Sequence, residues 1–178
     1  MPARIPTIDL GPLRGTVDER RALADELTAV YHDIGFAVLV NHGLPAGYLD
    51  NVFAMMAEFF ALSDEQKLFI DKRESRHFRG WEAVGTEFTN NRPDVREQID
   101  MWSERLALDA DVEPAYLRLL GPNQWMPDDV IAGQQALTLD WFSRLGGVAD
   151  EILSLFALGL GLDADHFCTA FDKNSMSL

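Results

Sequence analysis

The sequence is short of cations, has a single cysteine and contains no long apolar run. Its 178 residues carry 15 Lys+Arg against 29 Asp+Glu, a formal net charge of −14. This acidity argues against binding to nucleic acid or to an anionic membrane, because both would repel the protein. One cysteine, Cys168, excludes an internal disulfide framework and a Cys-rich zinc site. With no long apolar run and no basic-then-apolar leader, the sequence predicts neither a membrane span nor a signal peptide, and a cytoplasmic protein is expected.

Apolar residues are, by contrast, abundant. Hydrophobic residues make up 47% of the chain and charged residues 25%, which predicts a globular fold rather than a disordered chain. The length is typical of one domain. Within the acidic background lies one basic stretch, whose cations are Lys67, Lys72, Arg73, Arg76 and Arg79.

Start and stop signals predict three helices in the first part of the chain. A Thr-x-x-Glu box at Thr16 and a Ser-x-x-Gln box at Ser63 match capping boxes, and Gly35 is typical of the residue just past a helix end. The helix between these two is predicted to begin at Pro45, because a proline at the first position loses no hydrogen bond. Its inward-facing residues are predicted to be Leu49, Val52, Phe53, Met56 and Phe60.

Further along, the pattern predicts a short helical turn at Tyr116–Leu120, a long helix from Pro127 to about Leu160 and a last short helix from Asp163 to Phe171. The run Phe36–Val40 is continuously apolar and is predicted to be a buried strand. The predicted strands are 5–10, 36–40, 81–88, 97–102 and 175–178. They are too few and too scattered to form a closed sheet.

Catalytic motifs are sparse. None of the four histidines is followed two residues later by Asp or Glu, so the close pair of a two-histidine, one-carboxylate iron site is absent. Glu74 and His77 form a single Glu-x-x-His pair, interpreted as ordinary solvated side chains, and Cys168 is interpreted as a small buried hydrophobe. Neither a Gly-x-Ser-x-Gly elbow nor a phosphate-binding glycine loop occurs. Motifs alone therefore leave the function open.

The order of several segments is more informative. An opening strand at Ile5–Leu10 is followed by 35–45, which contains Asn41-His42-Gly43-Leu44-Pro45, and then by 59–67, by Arg79-Gly80-Trp81, by 121–125 and by 157–173. These segments, in this order, resemble the N-terminal region of the isopenicillin-N-synthase-like family of non-haem Fe(II), 2-oxoglutarate-dependent oxygenases. The resemblance spans essentially the whole chain.

The resemblance implies an α+β fold. An α-rich N-terminal region with several helices, one of them long, and few short strands would pack on a double-stranded β-helix (jelly-roll) core and contribute strands to it. The core itself is expected to be absent from this chain. Residues 1–173 would be the N-terminal domain, and 174–178 would begin the first strand of a truncated catalytic domain.

The resemblance also implies the chemistry. The full-length family member is expected to use Fe(II) and 2-oxoglutarate to hydroxylate, desaturate or cyclise a small-molecule substrate. The family's His-x-Asp pair, distant His and Arg-x-Ser pair lie further along than this chain reaches, so no residue here is expected to bind metal or 2-oxoglutarate. His42 belongs to a structural turn in the family. The chain alone is expected to be inactive, with the C-terminal catalytic half as its missing partner.

One substrate-binding residue, Arg79, is predicted. It opens a strand expected to line the pocket, and a guanidinium can hold a carboxylate through two parallel hydrogen bonds. The basic stretch would then attract an anionic substrate; the alternative is that its cations form a solvated face. Trp81 and Phe88 either line an apolar pocket or pack in the core.

Two alternatives to a truncated oxygenase stay open. The chain could be a naturally shortened, non-catalytic module that binds a partner through the surface the jelly roll would cover, or a small acidic adaptor without oxygenase ancestry. Truncation predicts that the purified chain self-associates through exposed strand edges and binds no Fe(II) tightly.

Overall fold

The computed structural model describes residues 4–167, which fall into two compact units. Unit 1 consists of the described residues of Met1–Ala46 and Ser143–Leu178, and unit 2 is Gly47–Phe142. The helices are α1 (Val17–Asp33), α2 (Tyr48–Phe60), α3 (Asp64–Lys67) and α4 (Gln134–Gly159). The strands are β1 (Thr7–Asp9), β2 (Val38–Val40), β3 (Gly80–Glu82), β4 (Phe88–Thr89), β5 (Arg92–Pro93) and β6 (Gln98–Asp100). Helix α4 contributes residues to both units.

Unit 1 is built on two parallel strands and the helix that links them. Strands β1 and β2 pair in parallel with Ile8 opposite Leu39, and α1 provides the crossover that parallel strands require. Its core consists of Ile8, Leu10, Leu23, Ala24, Leu27 and Leu155. At the end of α4, Gly159 lies so close to Thr28 and the Ala24 carbonyl that a side chain there would overlap both.

The start and the end of α1 confirm the predicted capping box at Thr16 and the predicted glycine stop at Gly35. The Thr16 hydroxyl accepts a hydrogen bond from the Glu19 amide at 3.3 Å, and the Glu19 carboxylate accepts one from the Thr16 amide at 2.7 Å. Gly35, just past the helix, has φ +90°, a conformation that glycine adopts readily. The second capping box, at Ser63, is also confirmed.

Unit 2 combines short helices with two pairs of antiparallel strands. Strands β3 and β6 pair with Trp81 opposite Ile99, and β4 and β5 form a hairpin. The core consists of Met55, Phe59, Ile70, Trp81, Met126 and Ile131. The turn predicted near Tyr116 is a 3-10 helix at Ala115–Leu119.

Helix α2 differs from its prediction in start and in face. It begins at Tyr48 after Gly47, not at Pro45, and it buries Tyr48, Val52, Met55 and Phe59. Phe53, predicted to face inward, is 69% exposed. The Tyr48 hydroxyl donates to Asp140 at 2.6 Å and its ring stacks on Trp141. These contacts fix the buried face one position away from the predicted one.

The strand predictions are partly wrong. Within 36–40 only 38–40 form a strand, and Val38 is 49% exposed, so this is not a buried strand. The prediction for 81–88 is wrong in extent, because the chain turns around Gly85 and divides the segment between β3 and β4. Within 97–102 only 98–100 form a strand, β6, so this strand is present but shorter than predicted.

The long helix begins later than predicted. Pro127 starts a tight turn, in which its carbonyl accepts hydrogen bonds from the amides of Val130 and Ile131, and α4 follows only from Gln134. The local acidic residues after Pro127 are therefore turn residues rather than the first turn of the helix.

The α+β class is confirmed for residues 4–167, with four α-helices and three two-stranded sheets. Cys168, the end of the last predicted helix, the predicted strand at the C-terminus and the domain boundary at 173/174 lie outside the described residues. Among the described helices, none combines the length and the apolarity needed to cross a membrane.

Candidate functional site

The structure places Arg79 in the interior of unit 2. Its side chain is almost fully buried, at 4% exposure. The guanidinium donates to the carbonyl oxygens of His77 and Leu119, the latter at 3.0 Å, and lies 4.9 Å from the centre of the Trp102 ring. Burial lowers the pKa of Arg79, although Asp100 and Glu104 act in the opposite direction. In this position Arg79 ties two backbone segments together, and its predicted contact with substrate stays a prediction.

The basic stretch is not one continuous face. Lys67 and Arg79 are buried. The three cations between them line a cavity of about 560 Å³, whose apolar wall is formed by Leu68, Phe78, Trp81 and Ala83. Cavities of this size are typical of small-molecule sites. The sequence pattern did not indicate which of the five cations reach the cavity.

One side of the cavity is a network of charges around Lys72. The ammonium lies 2.6 Å from Asp100 and 2.8 Å from Glu82. Burial alone would lower the pKa of Lys72, but its hydrogen bonds to Asp100 and Glu82 outweigh this and raise it. The Gln98 amide donates to Glu82 at 3.2 Å and to Glu87 at 2.9 Å. Lys72 is therefore neutralised and held in place, so it is not available as a free cation.

The register of β3 and β6 explains this network. Glu82 lies opposite Gln98, and Asp100 follows two residues later on the same side of β6. Sequence reasoning missed these carboxylates. The alternation of Gln98 and Asp100 was visible, but nothing local identifies β3 as their partner strand.

The apolar lining includes Trp81, which also belongs to the core of unit 2. Its indole Nε1 donates to Glu97 at 2.8 Å. The same carboxylate accepts from the ammonium of Lys67 at 2.7 Å, and this ammonium lies 5.1 Å from the centre of the Trp81 ring. The ring is therefore fixed by a hydrogen bond and a cation–π contact. Phe88, in contrast, is exposed and lines neither the cavity nor the core.

Two histidines, His42 and His77, are held by hydrogen bonds to the backbone. His42 Nδ1 accepts a hydrogen bond from the Leu44 amide at 3.2 Å, which agrees with a turn histidine. His77 was predicted to be solvated but is buried, with Nδ1 at 3.0 Å from the Arg118 carbonyl. Within residues 4–167, no three His, Cys, Asp or Glu side chains come together in a group that could hold a metal ion. The described residues do not fit an iron site.

Comparisons with known proteins agree with the order of segments. The sequence model described as "non-haem dioxygenase in morphine synthesis N-terminal" matches residues 5–128. The 2-oxoglutarate-dependent dioxygenase frbJ of Dothideomycetidae sp. (strain 11243) is 33% identical over 96% of this chain and 45% of its own length. Homoarginine-6-hydroxylase 2-ODD-C23.2 of Arabidopsis thaliana is 30% identical over 68% of this chain and 36% of its own.

A solved structure shows the same fold. The full-length Neurospora crassa T7H in complex with alpha-KG superposes with a TM-score of 0.74 at 24% identity, over 92% of this chain and 49% of that one. The chain thus spans about half the length of the relatives it matches. It belongs to the family of non-haem, 2-oxoglutarate-dependent dioxygenases and corresponds to that family's N-terminal region.

Proposed function

We propose that this chain is the N-terminal part of an Fe(II)/2-oxoglutarate-dependent oxygenase and that it supplies part of the wall against which a small organic substrate binds. The observation that carries the proposal is the match of the family's N-terminal region to residues 5–128. Because the described residues do not fit an iron site, the ligands for Fe(II) and 2-oxoglutarate are proposed to come from a C-terminal catalytic half. The chain alone is then inactive.

The sheet of unit 1 supports the existence of a further layer. Parallel sheets are normally covered on both faces. In unit 1 the face formed by alternate residues of β1 and β2 is open, with Thr7 beside Val38 and Asp9 beside Val40. Phe36, two residues before Val38, is also exposed. A jelly-roll half is proposed to cover this face, whose apolar part is Phe36, Val38 and Val40, and the exposure of these side chains is the reason we expect the isolated chain to self-associate.

Among the oxygenase reactions, hydroxylation has the most support. One relative is named as a homoarginine hydroxylase, and it is 30% identical over 68% of this chain. The reacting substrate is proposed to be a small molecule in solution, and the proposal includes a cytoplasmic location.

The non-catalytic alternative makes a different prediction about the gene. The coding sequence is read past Leu178 for a His-x-Asp pair, a distant His and an Arg-x-Ser pair, and the encoded protein is then assayed for 2-oxoglutarate-dependent release of succinate. The proposal expects both the ligands and the activity. A reading frame that stops at Leu178 would refute catalysis and leave the shortened binding module.

A further inference from the structure

We infer that the cavity of unit 2 binds a small carboxylate, with its carboxylate group on Arg76 and its apolar body against Phe78 and Leu68. This inference rests on the proposed function only where it calls the ligand a substrate. The cavity, its charges and its apolar wall are properties of the described residues.

The acidic groups of the cavity wall are already neutralised. Each carboxylate has a cationic partner at hydrogen-bond distance. The pairs are Asp71 with Arg73 at 2.5 Å, Glu82 with Lys72 at 2.8 Å and Glu87 with Arg96 at 2.8 Å. Hydrogen bonds from Arg73 lower the pKa of Asp71 despite its burial, and those from Arg96 lower the pKa of Glu87. A cationic ligand would therefore have to displace an existing partner.

Arg76 differs from the other charged groups of the wall. Arg76 lines the cavity and is exposed, and within residues 4–167 its side chain has neither a hydrogen bond nor an ion pair. The cavity therefore presents one uncompensated positive charge. A planar guanidinium of this kind holds a carboxylate through two parallel hydrogen bonds.

The apolar part of the site is formed by a side chain in an unfavourable position. Phe78 has φ +55°, a left-handed conformation that bulky residues rarely adopt, and it is 62% exposed beside the cavity. The Lys72 ammonium lies 6.0 Å from the centre of the Phe78 ring, but backbone preference does not favour a phenylalanine at this position, and strained residues of this kind cluster at ligand sites. Leu68, also exposed, and the fixed ring of Trp81 complete an apolar wall next to Arg76.

These features together select the ligand class. One free cation matches one carboxylate, whereas the aromatic and aliphatic wall matches an apolar body. Succinate and 2-oxoglutarate, which lack such a body, should bind the cavity more weakly than an aryl carboxylate of similar length.

The test uses the protein as its gene encodes it and 3-phenylpropionate as the probe, with affinity measured by isothermal titration calorimetry. The uncharged 3-phenylpropionamide and the cationic phenethylamine are the comparison ligands. We expect the carboxylate to bind at least about 10-fold more tightly than either, which is the effect of one charged hydrogen-bonding partner. Arg76→Gln should lower affinity for the carboxylate by about the same factor. Arg92→Gln, a matched change of an exposed arginine that does not line the cavity, should leave it unchanged.

A second variant separates ligand binding from stability. Phe78→Gly removes the left-handed strain, so we expect its melting temperature to be unchanged or higher while affinity for 3-phenylpropionate falls. Phe88→Ala, a change of another exposed phenylalanine outside the cavity, should not alter affinity. A lower melting temperature for Phe78→Gly with unchanged affinity would show a purely structural residue.

The inference is overturned if the protein does not bind 3-phenylpropionate, if Arg76→Gln binds it as tightly as the original protein, or if the amide binds as well as the acid. Its failure is distinct from that of the proposed function. Binding that depends on Arg76 without release of succinate from 2-oxoglutarate would refute the oxygenase but keep the site. Release of succinate with no effect of Arg76→Gln on carboxylate binding would support the oxygenase but refute the carboxylate site.

Discussion

The buried ammonium of Lys67 gives the sharpest prediction about what fixes the cavity wall. Its side chain is 4% exposed and has two anionic partners, Glu97 at 2.7 Å and Asp64 at 3.3 Å. Glu97 is 27% exposed and also accepts from Trp81, whereas Asp64 is 81% exposed. The substitutions Glu97→Gln and Asp64→Asn each remove one negative charge, so effects of net charge are matched between them.

The expected magnitudes differ because the environments differ. Glu97→Gln leaves the buried ammonium with only the exposed, water-screened carboxylate of Asp64 at 3.3 Å, and the loss of its closer and less exposed partner should cost about 3 kcal/mol of unfolding free energy. An exposed partner is screened by water, so Asp64→Asn should cost less than about 1 kcal/mol. Glu97→Gln retains an amide oxygen that can accept from the Trp81 indole, so its cost reports mainly on the ammonium.

The pH dependence follows from the direction of the pKa shift. Burial by itself would lower the pKa of Lys67, but hydrogen bonds to Glu97 and Asp64 outweigh this and raise it above 10.5, the value of an unperturbed lysine. A raised pKa stabilises the folded state fully below 10.5, and this stabilisation is lost as the pH rises through the folded-state pKa. The difference between the original protein and Glu97→Gln should therefore be constant at neutral pH and narrow in strong alkali.

Urea unfolding followed by tryptophan fluorescence measures both variants at neutral pH. The reasoning is refuted if Asp64→Asn is as destabilising as Glu97→Gln, or if Glu97→Gln costs less than about 0.5 kcal/mol, within the usual range of surface substitutions. Either result would mean that the ammonium is not held by Glu97.

Three further predictions concern Gly80, Thr16 and Asp71. Gly80→Ala should prevent the strand from approaching the Ile70 carbonyl, because φ is +120° and a Cβ would overlap this oxygen; a thermal melt should show a large loss of stability. Thr16→Ala should cost about 1 kcal/mol in urea unfolding by removing a capping box, and a cost near zero would contradict the hydrogen bonds described. Hydrogen bonds from Arg73 lower the pKa of Asp71 below 3.8, so the stabilisation from this carboxylate is present above that pH and is lost as the pH falls through the folded-state pKa. Asp71→Asn should therefore make the free energy of unfolding depend less on pH in the acid range. An unchanged pH dependence would refute this.

Local signals in the sequence predicted part of the local structure: Pro45 and Pro127 do not begin helices, whereas both capping boxes do. The two capping boxes and the glycine after α1 depend on residues three or four positions apart, and all were correct. Predictions that depend on distant contacts were less accurate. The face of α2 is set by the contacts of Tyr48 with Asp140 and Trp141, and no periodicity within α2 reveals them.

The cavity shows the same limit. Five cations in one stretch looked equivalent in sequence, but pairing across β3 and β6 neutralises Lys72, and packing buries Lys67 and Arg79. Only the three-dimensional arrangement leaves Arg76 as the cation in the wall without a partner among the described residues. The family resemblance, by contrast, needed no contacts, because it rests on the order of short segments along the chain.

Anaerobic titration with Fe(II) tests the central claim most directly. It compares residues 1–178 alone with the protein as its gene encodes it. The account predicts that the encoded protein binds one Fe(II) per chain and that residues 1–178 alone bind none tightly, since the described residues bring no metal-ligand group together. Tight, stoichiometric binding of Fe(II) by residues 1–178 alone would contradict it.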